Sequence, residues 1–186
     1  MGSTLVAITI ADRVCRIVWV GDSRAYLWRR KRLRPLTRDH SFAERLRAAE
    51  GLSETAVRVH PGHNIVLQAL GRDTPVPSEN DVPLHKGDWL LLCSDGLSGE
   101  LRDERIADIL RKHAALESAV DALVDGAVAS GGKDDVSVVL AEYSGPSKFR
   151  IDWRWGPRTG LWLSILAGVL SAALIAGISW WFERRR

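Results

Sequence analysis

The chain alternates apolar and polar positions in two periods, and the switches between them divide it into elements. Residues 5–10 and 16–20 are rich in β-branched side chains (Val6, Ile8, Ile10; Ile17, Val18, Val20), with Ala11-Asp12-Arg13 as a turn between them, and read as two strands. A tight turn at Gly21-Asp22 leads to 25–28, and the basic turn Arg29-Arg30-Lys31-Arg32 leads on to 33–36, completing an antiparallel meander. From Ser41 the period becomes helical: 42–50 is a predicted helix, capped by Ser41 and stopped by Gly51. A second short helical stretch is expected within 52–63, an apolar run follows at 65–70, and 72–81, with two prolines and an Asn-Asp pair, reads as loop.

Residues 88–93 make a nearly unbroken apolar run of the kind found in a fully buried strand, ending at Ser94-Asp95-Gly96. Amphipathic helices are predicted at 102–113 and 115–129, the second with Leu116, Ala119, Val120, Leu123 and Val124 on one face. After a loop at 131–135, residues 136–143 form a last strand. Strands, helices, strand, helices, strand in that order indicate an α+β domain with antiparallel sheets over 1–143.

Beyond it the pattern predicts a juxtamembrane linker at 144–160, a transmembrane helix at 161–182 and a basic tail at 183–186. The segment 161–182 carries no charge, and at ~1.5 Å per residue it spans roughly 30 Å, the thickness of a bilayer core. Trp153, Trp155 and Trp162 flank it on one side, and Trp180 and Trp181 on the other, as interfacial belts do. The alternative, a buried core helix, has no remaining domain to bury it. Lys148, Arg150, Arg154 and Arg158 precede the segment and Arg184, Arg185 and Arg186 follow it, which narrowly favours a cytoplasmic domain on a single-pass membrane protein. No signal peptide is visible at the N-terminus, which points the same way.

Composition adds little to this picture. Hydrophobic residues at 46% and charged residues at 26% describe a folded chain, not a disordered one. The net charge of +3 owes part of its sign to the basic run at 29–32. Such a run can bind nucleic acid or anionic lipid, but more often it decorates a solvated turn; without zinc-finger spacing or an aromatic RNA motif beside it, no nucleic-acid partner is expected. The two cysteines, Cys15 and Cys93, sit in apolar runs, so buried thiols in a reducing compartment are expected.

Three acidic positions interrupt or follow apolar strands: Asp22, Asp95 and the pair Asp134-Asp135. Each alone is an ordinary turn-forming residue. Together, at one sheet end, they would build a site for a hard cation, because Mg²⁺ and Mn²⁺ take carboxylate and water oxygens.

Five strings in order carry a resemblance: Val20-Gly21-Asp22-Ser23-Arg24-Ala25-Tyr26-Leu27; Leu36-Thr37-Arg38-Asp39-His40-Ser41; Asn64 ahead of Ala69-Leu70-Gly71; Gly87-Asp88-Trp89-Leu90-Leu91-Leu92-Cys93-Ser94-Asp95-Gly96-Leu97; and Gly132-Lys133-Asp134-Asp135-Val136-Ser137. They resemble the PPM-type (type-2C) protein serine/threonine phosphatases, bacterial members in particular, over residues 1–143. The resemblance implies an α-β-β-α sandwich and two Mg²⁺ or Mn²⁺ ions held by Asp95 and Asp134 among others, with Asp22 at a third, weaker metal site. It also implies water as the nucleophile with no catalytic side chain, a flap at 42–63, and phosphorylated targets of serine/threonine kinases as substrates.

The family's first half has no counterpart: the phosphate-gripping Arg, an acidic residue of an asparagine-glutamate-aspartate motif and a metal-bridging aspartate-glycine pair. The chain is therefore expected to be N-terminally truncated, with His40, His60 and His63 as flap or surface residues rather than substitute ligands. Two functions follow, a membrane-tethered phosphatase and a catalytically inactive, truncated phosphatase remnant acting as a membrane-bound binding or regulatory module.

Overall fold

The first sheet is built from β1 (Leu5–Ala11), β2 (Val14–Val20) and β5 (Ser78–Pro83), in the order β1-β2-β5. The second contains β3 (Arg24–Arg29), β4 (Arg32–Pro35), β6 (Asp88–Cys93), β7 (Val136–Gly145) and β8 (Lys148–Gly156), in the order β4-β3-β6-β7-β8. Every pairing is antiparallel. The helices are α1 (Phe42–Glu50), α2 (Asp95–Ser98), α3 (Asp103–Lys112) and α4 (Leu116–Ser130). This computed structural model describes residues 2–51, 60, 62, 65–71, 74–145 and 148–156.

Alternation along β2 explains the sandwich. Cys15, Ile17 and Trp19 point inward and are buried, while Arg16 points out and pairs with Asp81 of β5 at 2.7 Å. Between the sheets they meet Ala25, Leu27, Leu90 and Tyr143. A second core lies on the other face of the five-stranded sheet. There Tyr26, Leu91 and Leu140 pack under Ile106 and Leu110 of α3 and Val120 and Leu123 of α4. Strand β6 is apolar on both faces because it feeds both cores.

The order of layers among the described residues is thus sheet, sheet, helices. The α-β-β-α expectation is met on the five-stranded side; no described helix packs on the outer face of β1-β2-β5. The helix at 42–50 has its cap, Ser41 Oγ accepting from the Glu44 N–H, and ends at Gly51 in the left-handed region.

Two readings are corrected. Residues 78–81, expected as loop, open β5: Asn80 Nδ2 donates to the Leu36 carbonyl at 2.9 Å and Asp81 pairs with Arg16, so partners on β2 and just past β4 override a polar, turn-like composition. Residues 148–156, placed in the linker, are strand β8. Phe149, Ile151 and Trp153 alternate there with Arg150, Asp152 and Arg154, and Arg154 reaches Glu117 and Asp121 on α4 at 3.3 and 3.0 Å. Trp153 therefore lies in a strand and not in a linker. The single turn α2 is an addition that periodicity does not predict.

Most of the helical stretch expected at 52–63, the segment 161–182 and the tail at 183–186 lie outside the described residues. Among the described residues no helix is long and apolar enough to cross a membrane.

Three of the sheets' outer strands carry charge or proline: Glu79, Asp81 and Pro83 on β5, Arg32, Arg34 and Pro35 on β4, and Arg150, Asp152 and Arg154 on β8. Strand β1 carries neither. Leu123 is fully buried in α4, whereas Val128 of the same helix is 53% exposed. Leu123→Ala is expected to lower unfolding free energy by about 2–5 kcal/mol, and Val128→Ala by less than about 0.5, as measured by urea denaturation.

Candidate functional site

Four connections meet at one end of the sandwich: β2 to β3 (21–23), β4 to α1 (36–41), β6 to α2 at Ser94, and α4 to β7 (131–135). They enclose a cavity of about 940 Å³ whose lining includes Asp22, Arg24, Asp39, Asp95, Lys133 and Asp134. The three acidic positions singled out in the sequence are therefore neighbours. They come together because β6 pairs with β3 on one side and β7 on the other, setting Cys93 opposite both Arg24 and Val138.

Close packing holds the two strand ends together. The Ser94 N–H donates to the Ser137 carbonyl at 3.1 Å and the Ser137 N–H to Ser94 Oγ at 3.0 Å. Ser94 Oγ in turn donates to the Asp135 carbonyl at 3.1 Å. Gly96 lies against that same carbonyl, where a Cβ would collide with the Asp135 backbone. Serine bridges the strands, aspartate presents a carboxylate, and glycine leaves room for the approach.

Asp22 is placed by another set of contacts. Gly21 adopts φ +105°, and a Cβ there would strike Thr4 of the neighbouring strand end. His40 holds the Gly21 backbone from both sides: its own N–H donates to the Gly21 carbonyl at 2.8 Å, and its Nδ1 accepts the Gly21 N–H at 3.2 Å. Its Nε2 meets Ser78 Oγ at 2.9 Å, and its ring stacks on Trp19. An Nδ1 that accepts an amide proton requires neutral imidazole, in keeping with the lowered His40 pKa that burial produces. His40, expected as a flap or surface residue, is instead a clamp on the Gly21-Asp22 turn; His60 packs its ring against Phe42 of α1.

Beneath the cavity Arg24 makes a two-pronged ion pair with Asp39, Nε at 2.8 Å and Nη2 at 2.7 Å. Its Nη1 donates to the Tyr26 hydroxyl at 3.2 Å, which donates to Asp103 at 3.0 Å. In the sequence Arg24, Asp39 and Tyr26 stand out only as parts of motifs; the pairing of a strand residue with a loop residue fifteen positions on has no local signal.

The carboxylates are crowded. Burial first, and then the charge of Asp95, pushes the Asp22 carboxyl up to about 6, against the pull of Arg24. Asp95 is raised by burial and then by the charge of Asp134, with the Gly96 N–H working the other way. Oxygen donors whose ionised forms are raised in energy by burial and by one another fit a hard divalent cation, which would relieve both. Among the described residues, however, no group of three His, Cys, Asp or Glu side chains encloses a metal position.

Residues 3–144 match the stage II sporulation protein E (SpoIIE) family. The chain is 39% identical over 143 residues to the serine/threonine phosphatase stp of Listeria welshimeri, a match covering 76% of this chain and 57% of that one. The crystal structure of the Mycobacterium tuberculosis serine/threonine phosphatase PstP/Ppp superposes with a TM-score of 0.73 at 33% identity, covering 78% of this chain and 61% of that one. A structure of the PstP catalytic domain in complex with two manganese ions matches with a TM-score of 0.68 at 33% identity, covering 76% and 59%. The chain belongs to the SpoIIE-like, PPM-type serine/threonine phosphatase family, and it spans 57% of the length of its Listeria relative.

A carboxyl whose folded pKa lies above its unfolded one costs stability as pH rises through that interval, for Asp22 from 3.8 to about 6. With divalent cations chelated, Asp22→Asn is expected to be about 1 kcal/mol more stable than the parent at neutral pH, the full shift being discounted for partial exposure. The advantage should vanish below about pH 4. Urea unfolding at both pH values measures it, and equal stabilities throughout would show that the charge on Asp22 is compensated.

Proposed function

We propose that this chain is the later portion of a protein serine/threonine phosphatase that hydrolyses phosphoserine and phosphothreonine with water activated by Mg²⁺ or Mn²⁺. The observation that carries the reading is the gathering of Asp22, Asp95 and Asp134 around one cavity, with Asp22 and Asp95 both raised by burial and neighbouring charge. Asp95 and Asp134 would hold the paired ions, and Asp22 a weaker third. Bound there, such ions supply Lewis-acid activation of water and neutralise charge on phosphoryl oxygens.

The chain's own residues do the positioning. Ser94 and Gly96 fix Asp95 against the loop that carries Asp134, and His40 fixes the turn that carries Asp22. Neither cysteine serves as a nucleophile: Cys15 and Cys93 are buried, their thiols pushed up to about 12 by that burial. Substrates are proposed to be phosphorylated proteins, the targets of serine/threonine kinases.

A second reading, a non-catalytic binding or regulatory module, draws support from the absence of a three-residue metal group among the described residues. Mn²⁺-dependent hydrolysis of a phosphothreonine peptide separates the two. Turnover by the chain that falls to background in the Asp95→Ala, Asp134→Ala double variant supports the first reading; equal rates would sink the claim that this polypeptide is active alone.

We place the domain on the cytoplasmic side of a membrane, in contact with lipid through the uncharged segment 161–182. Sealed inside-out vesicles should expose the domain to added protease, and right-side-out vesicles should protect it. The reverse pattern would reject the cytoplasmic assignment.

A further inference from the structure

Strand direction places two groups of turns at opposite ends of the sandwich. The carboxylates Asp22, Asp39, Asp95 and Asp134 line the cavity at one end. The turns at 12–13, 30–31 and 84–87 lie at the other, because β1, β3 and β5 run toward that end and β2, β4 and β6 run away from it. Those turns carry Arg13, Arg30, Lys31 and Lys86, with Arg32 and His85 beside them, all exposed. A hydrogen bond from the Leu84 N–H to the Arg13 carbonyl at 2.7 Å draws the first and third turns together.

The positive charge there is unspent. Among the described residues, none of Arg13, Arg30, Lys31, Arg32 and Lys86 takes part in an ion pair. Asp88 is buried and already accepts from Arg29 Nε at 2.8 Å, Arg29 Nη2 at 2.6 Å and the His85 N–H at 2.7 Å. Asp12 is the one exposed acid on these three turns. Beside them opens a cavity of about 550 Å³ lined by Arg29, Arg30, His85, Lys86, Gly87 and Asp88.

Local conformation supplies a second, independent sign. Arg13 (φ 65°), Arg30 (φ 51°) and Lys31 (φ 62°) sit in the left-handed region at two-residue hairpin turns, where Asn-Gly is the relaxed choice. Long cationic residues are kept at positions that disfavour them, the kind of local conflict that marks a functional surface.

We propose that this turn end is a docking face for an acidic segment of a partner polypeptide, rich in Asp, Glu or phosphorylated side chains, with one anionic side chain entering the smaller cavity. An acidic segment would bring charge complementary to these exposed, unpaired cations. A polypeptide suits the face because exposed cations on three separate turns flank a cavity of about 550 Å³, roomy enough to admit an anionic side chain. The proposal stands apart from the hydrolytic reading, since it concerns binding at a surface the cavity carboxylates do not touch.

Fluorescence anisotropy of a labelled oligoglutamate peptide with the full chain in neutral detergent tests it. The peptide should bind, with affinity falling as salt rises toward about 0.5 M. The triple variant Arg30→Glu, Lys31→Glu, Lys86→Glu should weaken binding by at least about tenfold with an unchanged melting curve, and the milder Lys86→Gln should weaken it in the same direction. Asp95→Ala should bind as the parent does. Absence of binding, binding indifferent to charge reversal, or displacement by short-chain phosphatidylserine or a DNA oligonucleotide more readily than by unlabelled peptide would each overturn the proposal.

Discussion

The antiparallel pairing of β6 with β3 on one side and β7 on the other is the constraint on which the rest of the molecule depends. Its ladders set Cys93 opposite Arg24 and Val138, and so bring three acidic turns from distant parts of the sequence into one cavity. Ser94 extends the β6–β7 ladder one residue past its last regular pair, and Gly96 allows the approach to continue into α2. Because β6 is apolar on both faces, the strand that fixes the site geometry is also held by both hydrophobic cores.

That arrangement concentrates like charge against the grain of stability. Burial and mutual repulsion raise Asp22 and Asp95, and Arg24, whose charge draws Asp22 down, is largely committed to Asp39. Cores on either side of β6 tolerate this cost, as sites that bind cations ordinarily demand.

Much of this was legible in the chain itself. Periodicity finds α3 and α4 because their apolar faces are continuous and nothing distant interrupts them, and it finds β6 because a run such as Trp89-Leu90-Leu91-Leu92-Cys93 admits no other use at that length. It fails at β5 and β8 for opposite reasons. Ser78-Glu79-Asn80-Asp81 has the composition of a turn and becomes a strand only through Arg16 and Leu36, which lie far away in sequence. The tryptophans of β8 stand close to a long uncharged segment, and that neighbourhood masks their period of two. The ligand candidates can be read from motifs, whereas the clamp formed by His40 and the Arg24–Asp39 pair cannot, since each joins elements whose proximity is decided by the sheet.

One edge of the sandwich sets how the molecule behaves in a tube or a crowded cell. Strand β1 offers seven uncharged residues, from Leu5 to Ala11, and among the described residues it hydrogen-bonds along one side only, to β2. The outer strands β4, β5 and β8 bear the lysine-, arginine-, aspartate- or proline-type residues that discourage foreign strands, and β1 has none. Its free amides and carbonyls are therefore the point from which intermolecular sheet would grow. A single lysine at the outward-facing Thr9 would put charge on that edge without reaching the acidic cavity or either core, whereas Val6, Ile8 and Ile10 pack against the core between the sheets.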